Sequence, residues 1–151
     1  MGTISPNDRL SRRIALLKNV PLFAELTKAD LATLGDDFQL KRYDADEVIF
    51  HQGDTSRELY VILTGKVRIF KTSLSGNETS LQVFSTHNII GELASIDDWP
   101  RSATAKAIVP SDLLVIAPDR FLYHMRAIPD LALAMTRLLA RKLLPIPPSL
   151  G

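Results

Sequence analysis

The hydrophobic period of this chain changes twice, and that limits what it can fold into. Up to Gly35, and again after Ile116, apolar residues recur at helical spacing. Between them, short runs rich in Val, Ile, Phe and Tyr alternate with turn signals. The runs are 38–43, 48–51, 59–63, 67–71, 79–84, 89–90, 102–108 and 113–116. The punctuation includes Asp44-Ala45-Asp46, Gln52-Gly53-Asp54, Thr64-Gly65-Lys66, Ser75-Gly76-Asn77, His87-Asn88 and Pro110-Ser111-Asp112. Turns spaced about 8–12 residues apart predict an antiparallel sandwich or barrel, and eight short strands predict a jelly roll. The segment Lys66-Val67-Arg68-Ile69 alternates, so one of its faces is expected to meet water. Residues 59–63 are continuously apolar, so this strand is expected to be covered on both sides.

The flanks read as helices. Residues 5–19 form an amphipathic pattern with Leu10, Ile14 and Leu17 on one side and Arg9, Arg12 and Arg13 among the polar positions. Val20 precedes Pro21 and so leaves the helical region. A second helix is predicted from Thr27, an N-cap residue with Asp30 three positions on, to Gly35. Leu31 and Leu34 mark its buried side. Pro118 suits a first helical turn and is followed by Phe121, Leu122 and Met125. A last helix is expected from Asp130 to Leu144, acidic at its start and basic at its end through Arg137, Arg141 and Lys142. Leu131, Ala134, Met135, Leu138, Leu139 and Lys142 lie along its stripe.

At 151 residues the chain suits one domain. We place it at 5–145, divided into N-terminal helices 5–36, a β-roll 37–117 and C-terminal helices 118–145, with 146–151 as a flexible tail. The fold class is mainly β, an antiparallel β-roll with flanking helices. The absence of cysteine excludes disulfides, thiolate metal sites and thiol catalysis. A net charge of +1 gives no global pull towards nucleic acid or membrane. The N-terminus lacks a secretory apolar core, and no apolar run approaches a membrane span. A cytoplasmic location is the resulting expectation. No P-loop, metal-ligand spacing or nucleophile context appears, so no enzyme is expected.

The chemistry concentrates between Ile90 and Ala107. Gly91 lets the backbone approach a ligand closely, and a short helix opens behind it through Glu92, Leu93 and Ala94. Unpaired N–H groups at such a start suit an anion. Glu92 can accept hydrogen bonds from a sugar hydroxyl. After the turn Asp97-Asp98-Trp99-Pro100, Arg101 offers a planar fork of donors that matches a phosphate. Ser102 adds a hydroxyl, and Ala103 leaves room beside it. Each residue also has an ordinary structural explanation. Glu92 fits the helix dipole, Arg101 a surface pair, Trp99 packing, and Asp97-Asp98 a solvated turn. All of them together, at this spacing, require several coincidences.

The pattern Gly91-Glu92-Leu93-Ala94, five residues, then Pro100-Arg101-Ser102-Ala103-Thr104 resembles the phosphate-binding cassette of cyclic nucleotide-binding domains. The resemblance extends through Leu17-Lys18-Asn19-Val20-Pro21-Leu22-Phe23, Val48-Ile49-Phe50-His51-Gln52-Gly53-Asp54 and Leu59 to Val67. It implies a β-roll holding a cyclic nucleotide, cAMP or cGMP, between the cassette and the last helix. It places Glu92 on the ribose 2′-hydroxyl and Arg101 on the cyclic phosphate. Backbone groups at Gly91, Glu92, Leu93 and Ala94, with the Ser102 hydroxyl, complete the cradle. A small hydroxylic Ser102 leans towards cAMP. Arg141 and Leu138 are the candidates for capping the base.

The chain departs from the family pattern at His87-Asn88, where glycine-aspartate is common, and at Asp46 and Ser56, where glycine is common. Bacterial regulators of the family continue into a helix-turn-helix domain. The seven residues after Leu144 cannot hold one, so direct DNA binding by this chain is not expected, and the chain reads either as a stand-alone sensor or as a fragment of a larger protein. Three readings follow. The first is a cyclic nucleotide receptor that signals through its C-terminal helices. The second is an interaction or dimerisation module, ligand-free or tuned to another effector, pairing through the 130–144 helix or binding another protein. Haem as that effector is disfavoured, because His51, His87 and His124 show no ligation pattern. The third, an enzyme, has no motif behind it.

Overall fold

A computed structural model describes residues 6–96 and 99–143. The expected ends at residue 5 and Leu144, the tail, and Asp97-Asp98 lie outside the described residues. The helices are α1 (Pro6–Lys18), α2 (Lys28–Asp36), α3 (Glu92–Ile96), α4 (Pro118–Ala127) and α5 (Pro129–Leu143), with a 3-10 turn at Pro21–Phe23. The strands are β1 (Gln39–Tyr43), β2 (Val48–Phe50), β3 (Leu59–Thr64), β4 (Lys66–Thr72), β5 (Glu78–Ser85), β6 (Ile89–Ile90), β7 (Thr104–Ala107) and β8 (Ser111–Ile116). They form two four-stranded sheets, ordered β1-β8-β3-β6 and β2-β7-β4-β5. Every strand pair is antiparallel. This is the mainly β jelly roll with helical flanks that the periodicity predicts.

The continuous run in β3 has the predicted cause. Leu59 and Val61 point into a core shared with the helices, where they meet Leu17, Phe23, Leu31, Leu34, Phe121, Leu131 and Met135. Tyr60 and Ile62 point into a second core inside the roll, with Phe50, Val67, Ile90 and Ala105. Strand β8 divides in the same way: Leu114 and Ile116 face the helices, while Leu113 and Val115 face the roll. One sheet thus separates two apolar interiors.

Several local expectations need correction. Residues 66–69 alternate, and Phe70 beyond them is buried as well as Val67; the register shift beside it belongs to β5, where Leu81 is the extra residue between the partners of Ile69 and Phe70. Gly35 does not end α2, which runs on to Asp36. A Cβ there would stand 3.2 Å from Leu17 Cδ1 and 3.3 Å from Arg13 Cγ, so the glycine serves close packing of α2 on α1. Leu10 is 37% exposed and stands outside the buried side that Leu17 anchors. The stripe on α5 packs within the chain: Leu131 and Met135 are buried, and Ala134, Leu138 and Leu139 rest against the same core. Thr27 does cap α2, its hydroxyl accepting from the Asp30 N–H at 3.1 Å.

The positive-φ turns show how the departures at 46 and 87 are accommodated. Asp46 has φ 70° and His87 has φ 74°. Both hold the left-handed conformation that favours glycine, so these loops keep their shape at some cost in strain. The Asp46 N–H is fixed on the Ala107 carbonyl at 2.6 Å, and the His87 N–H on that of Ile62 at 2.8 Å.

Candidate functional site

The strand predicted at 102–108 begins only at Thr104. Its first part is held differently. Gly53 N–H donates to the Arg101 carbonyl at 2.7 Å, and Arg101 N–H donates to the Asp54 carbonyl at 2.9 Å. The Thr104 hydroxyl accepts from Gln52 N–H at 2.9 Å. These bonds tie 101–104 to the turn after β2 and turn the Arg101 side chain inward.

There the guanidinium is almost wholly buried, its side chain 2% exposed. Nη2 donates to the Glu58 carbonyl at 2.8 Å and Nη1 to the Gly91 carbonyl at 3.3 Å. Nε stands 3.5 Å from Ser56 Oγ, so the serine in a common glycine position adds a polar neighbour. The Phe50 ring lies beneath, 4.0 Å from Cζ, and the Tyr60 ring at 6.0 Å. The Glu58 carboxylate is 3.8 Å away, beyond hydrogen-bonding distance. Burial pulls the guanidinium pKa down, while Tyr60, Glu58 and Asp54 act the other way. An arginine stays charged in such a setting, so the site carries a desolvated cation.

Gly91 has φ 85° at the mouth of α3. A Cβ on it would stand 2.5 Å from Arg101 Nη1 and 2.8 Å from the Glu58 carbonyl oxygen. Glycine is therefore required twice, by conformation and by the arginine's approach. Within α3, Ser95 Oγ donates to the Arg57 carbonyl at 2.5 Å and ties the helix to the loop that leads into β3. Glu92 is 6% exposed. Its Oε1 accepts from Lys142 Nζ on the last turn of α5.

These residues wall a pocket of about 440 Å³. Gly91, Glu92, Arg101, Ser102 and Ala103 form one side; Phe50, Ile69, Phe84 and Ile90 form an apolar side; Trp99 and Pro100 stand at 64% exposure for the indole and at the surface for the proline. The size suits a small molecule with one polar and one apolar end. The structure thus brings Gly91, Glu92, Arg101, Ser102 and Ala103 to one cavity. Leu93 and Ala94 lie in α3 by their backbone. Trp99 lines the pocket and is not the packed core residue that an indole beside proline suggests.

Sequence reasoning missed Phe50, Tyr60, Ser56, Glu58, Ile69, Phe84 and Lys142. Phe50 and Tyr60 read as ordinary strand residues, and Lys142 as a dipole partner. A basic residue continuing the apolar stripe of α5 was the available signal for Lys142. Arg141 is exposed and Leu138 rests on the helical core, so neither lines the pocket. The three histidines go to separate places: His51 beside Asp54, His87 in a turn, and His124 buried in α4 with Nε2 2.6 Å from Asp37 Oδ2. Among the described residues no group of three or more His, Cys, Asp or Glu can hold a metal ion, and no helix is long and apolar enough to cross a membrane.

A jelly roll with a buried arginine facing a glycine-led helical turn defines a class. The model of the cyclic nucleotide-binding domain matches residues 40–127, and the chain belongs to that family. Among its relatives is the cyclic AMP receptor protein of Thermus thermophilus, 35% identical over 127 residues, which are 84% of this chain and 59% of that protein. Another is the cAMP-dependent protein kinase regulatory subunit of Mycosarcoma maydis, 35% identical over 68% of this chain and 20% of the subunit. The chain therefore spans less than two-thirds of these relatives. The sensor domain of the transcriptional regulator DNR from Pseudomonas aeruginosa superposes with a TM-score of 0.82 at 28% identity, over 91% of this chain and 92% of that domain. These relatives are regulators and sensors by name.

Proposed function

We propose that this chain is a receptor module for a cyclic nucleoside monophosphate, with cAMP preferred over cGMP, acting as one domain over 5–145 without catalysis. The observation that carries the reading is Arg101: a cation 2% exposed at its side chain, in a pocket wall, with the Glu58 carboxylate 3.8 Å off. Such a charge is poorly compensated until an anion joins it. A cyclic phosphate fits, against Arg101, the Ser102 hydroxyl and the N–H groups at Gly91, Glu92, Leu93 and Ala94. Glu92 takes the ribose 2′-hydroxyl. The apolar side at Ile69 and Phe84 receives the base. The names of the Thermus and Mycosarcoma relatives and the hydroxyl at Ser102 support cAMP.

Binding is transmitted through the C-terminal helices. Helix α3, which carries Glu92, packs on α4, and α4 packs on α5. A ligand shifts such an arrangement only by its differential affinity for two states. The output is a second copy of this chain or another protein, met on the outer side of α5, where Leu133 is 48% exposed. A cytoplasmic setting, where cyclic nucleotides signal, completes the reading.

Calorimetric titration with cAMP and cGMP tests it, with Arg101→Ala as the control. Wild type is expected to bind cAMP more tightly than cGMP, and Arg101→Ala to lose roughly 2–5 kcal/mol of binding. Unchanged affinity in the variant sinks the assignment of Arg101. No binding of either nucleotide favours the interaction module instead.

A further inference from the structure

The Glu92 side chain stands between the pocket and α5. Glu92 lines the pocket, yet its Oε1 is held by the ammonium of Lys142, fifty positions along the chain. With that ammonium in place the Glu92 side chain is only 8% exposed, while the Lys142 side chain is 43% exposed. The walls of the pocket come from β2, β4, β5, β6, α3 and the segment 99–103. Helix α5 therefore reaches the site through Glu92 rather than by lining it.

A carboxylate this covered needs a partner for its charge, and Lys142 supplies one. We propose that Lys142 is a built-in competitor for Glu92: a ribose 2′-hydroxyl gains the carboxylate by displacing the ammonium, which frees the last turn of α5. The inference rests on the cyclic nucleotide reading above. Once the phosphate is anchored on Arg101, the hydroxyl is presented to Glu92 intramolecularly, at high effective concentration. Lys142 sits on a flexible stem at the surface side and regains water when released. Burial also pulls its pKa down, so the paired ammonium has something to recover in solvent. The exchange replaces one partner by another on a single acceptor. That keeps it near balance, the condition for a ligand to shift a conformational equilibrium.

Two properties separate a competitor from a support. Removing the competitor strengthens binding, and a ligand without the hydroxyl leaves it in place. The chain has no cysteine, so Arg141→Cys allows one environment-sensitive label on the exposed side of the same turn. Calorimetry and label fluorescence would follow cAMP and 2′-deoxy-cAMP with Lys142 intact, with Lys142→Met and with Lys142→Arg. Lys142→Met is expected to bind cAMP roughly 5-fold tighter or more, with the label no longer responding. Lys142→Arg is expected to restore the response. With Lys142 intact, 2′-deoxy-cAMP should bind without moving the label. Weaker or unchanged cAMP binding by Lys142→Met overturns the proposal and makes Lys142 a support for Glu92. So does a full label response to the deoxy ligand, a measurement that needs no substitution at 142. If neither nucleotide binds the protein with Lys142 intact, the cyclic nucleotide reading itself has failed, and the competitor with it.

Discussion

The guanidinium carbon of Arg101 stands 4.0 Å from the centroid of the Phe50 ring. Phe50 ends β2, and the turn after it returns two backbone hydrogen bonds to Arg101. Ring and cation are therefore built on one unit, and the ring holds the plane of the fork without neutralising it. Phe50→Leu keeps an apolar residue in the roll and removes the π face. Nucleotide affinity is expected to fall by about 2 kcal/mol, the worth of a desolvated cation–π contact, while the chain stays folded. Calorimetry beside a denaturant melt checks both halves. Unaltered affinity in a folded variant would remove the ring from the site.

Gly91 offers a sharper cut. Alanine there must hold a φ of 85° and place its Cβ 2.5 Å from Arg101 Nη1. The conformational part costs about 1–2 kcal/mol, and the contact with the fork adds to it or pushes the arginine away. Gly91→Ala is expected to unfold at lower denaturant and to bind nucleotide more weakly than the loss of stability explains. A variant as stable and as tight as wild type would refute the packing described.

Acid sensitivity is predicted from Asp37. Burial alone would raise its pKa, but hydrogen bonds from His124 and Arg120 outweigh it, and the carboxyl is held below its ordinary 3.8. The unfolded chain therefore binds the proton better than the folded one. The stabilisation is present above pH 3.8 and is lost as pH falls below that, through the folded-state value. Asp37→Asn should be less stable than wild type at pH 7, with the gap closing towards pH 3. Denaturant midpoints measured along that range decide it, and a gap that stays constant would rule the pair out as the cause.

Asp46 is strained without being buried. Its φ of 70° suits glycine, and its side chain is exposed. Asp46→Gly is expected to stabilise the chain by about 0.5–1 kcal/mol, because the relief of strain exceeds the added freedom of the unfolded chain. A thermal midpoint raised by roughly 1–4 °C is the readout. A lowered midpoint would show that the aspartate contributes a local interaction of its own.

The elements were largely legible because periodicity reports burial, and burial here is regular. The shift from helical to alternating spacing located the roll, and the continuous apolar run of β3 announced a strand covered on both faces. Legibility stopped at local irregularity. The late start of β7 goes with backbone bonds from distant residues, such as that between Gly53 and Arg101. The wall of the pocket formed by Gly91, Glu92, Arg101, Ser102 and Ala103 could be read because these residues lie within one short stretch. The rest of the pocket could not, because Phe50, Ile69 and Phe84 meet it only across the sheet, and their side chains look like any other core. Lys142 was hidden for a different reason: a lysine at a helix end already has a sufficient cause in the dipole.

Strand β3 has a consequence for how this protein tolerates change. Tyr60 and Ile62 furnish the roll that carries the pocket, while Leu59 and Val61 furnish the helical side. Successive residues thus belong to different rooms on either side of one wall. Inserting or deleting one residue between Leu59 and Ile62 would send the occupants on one side of the change to the opposite room. Over Leu59–Ile62, before the register shift at Leu63, the pocket side and the helix side of this strand therefore have to change together.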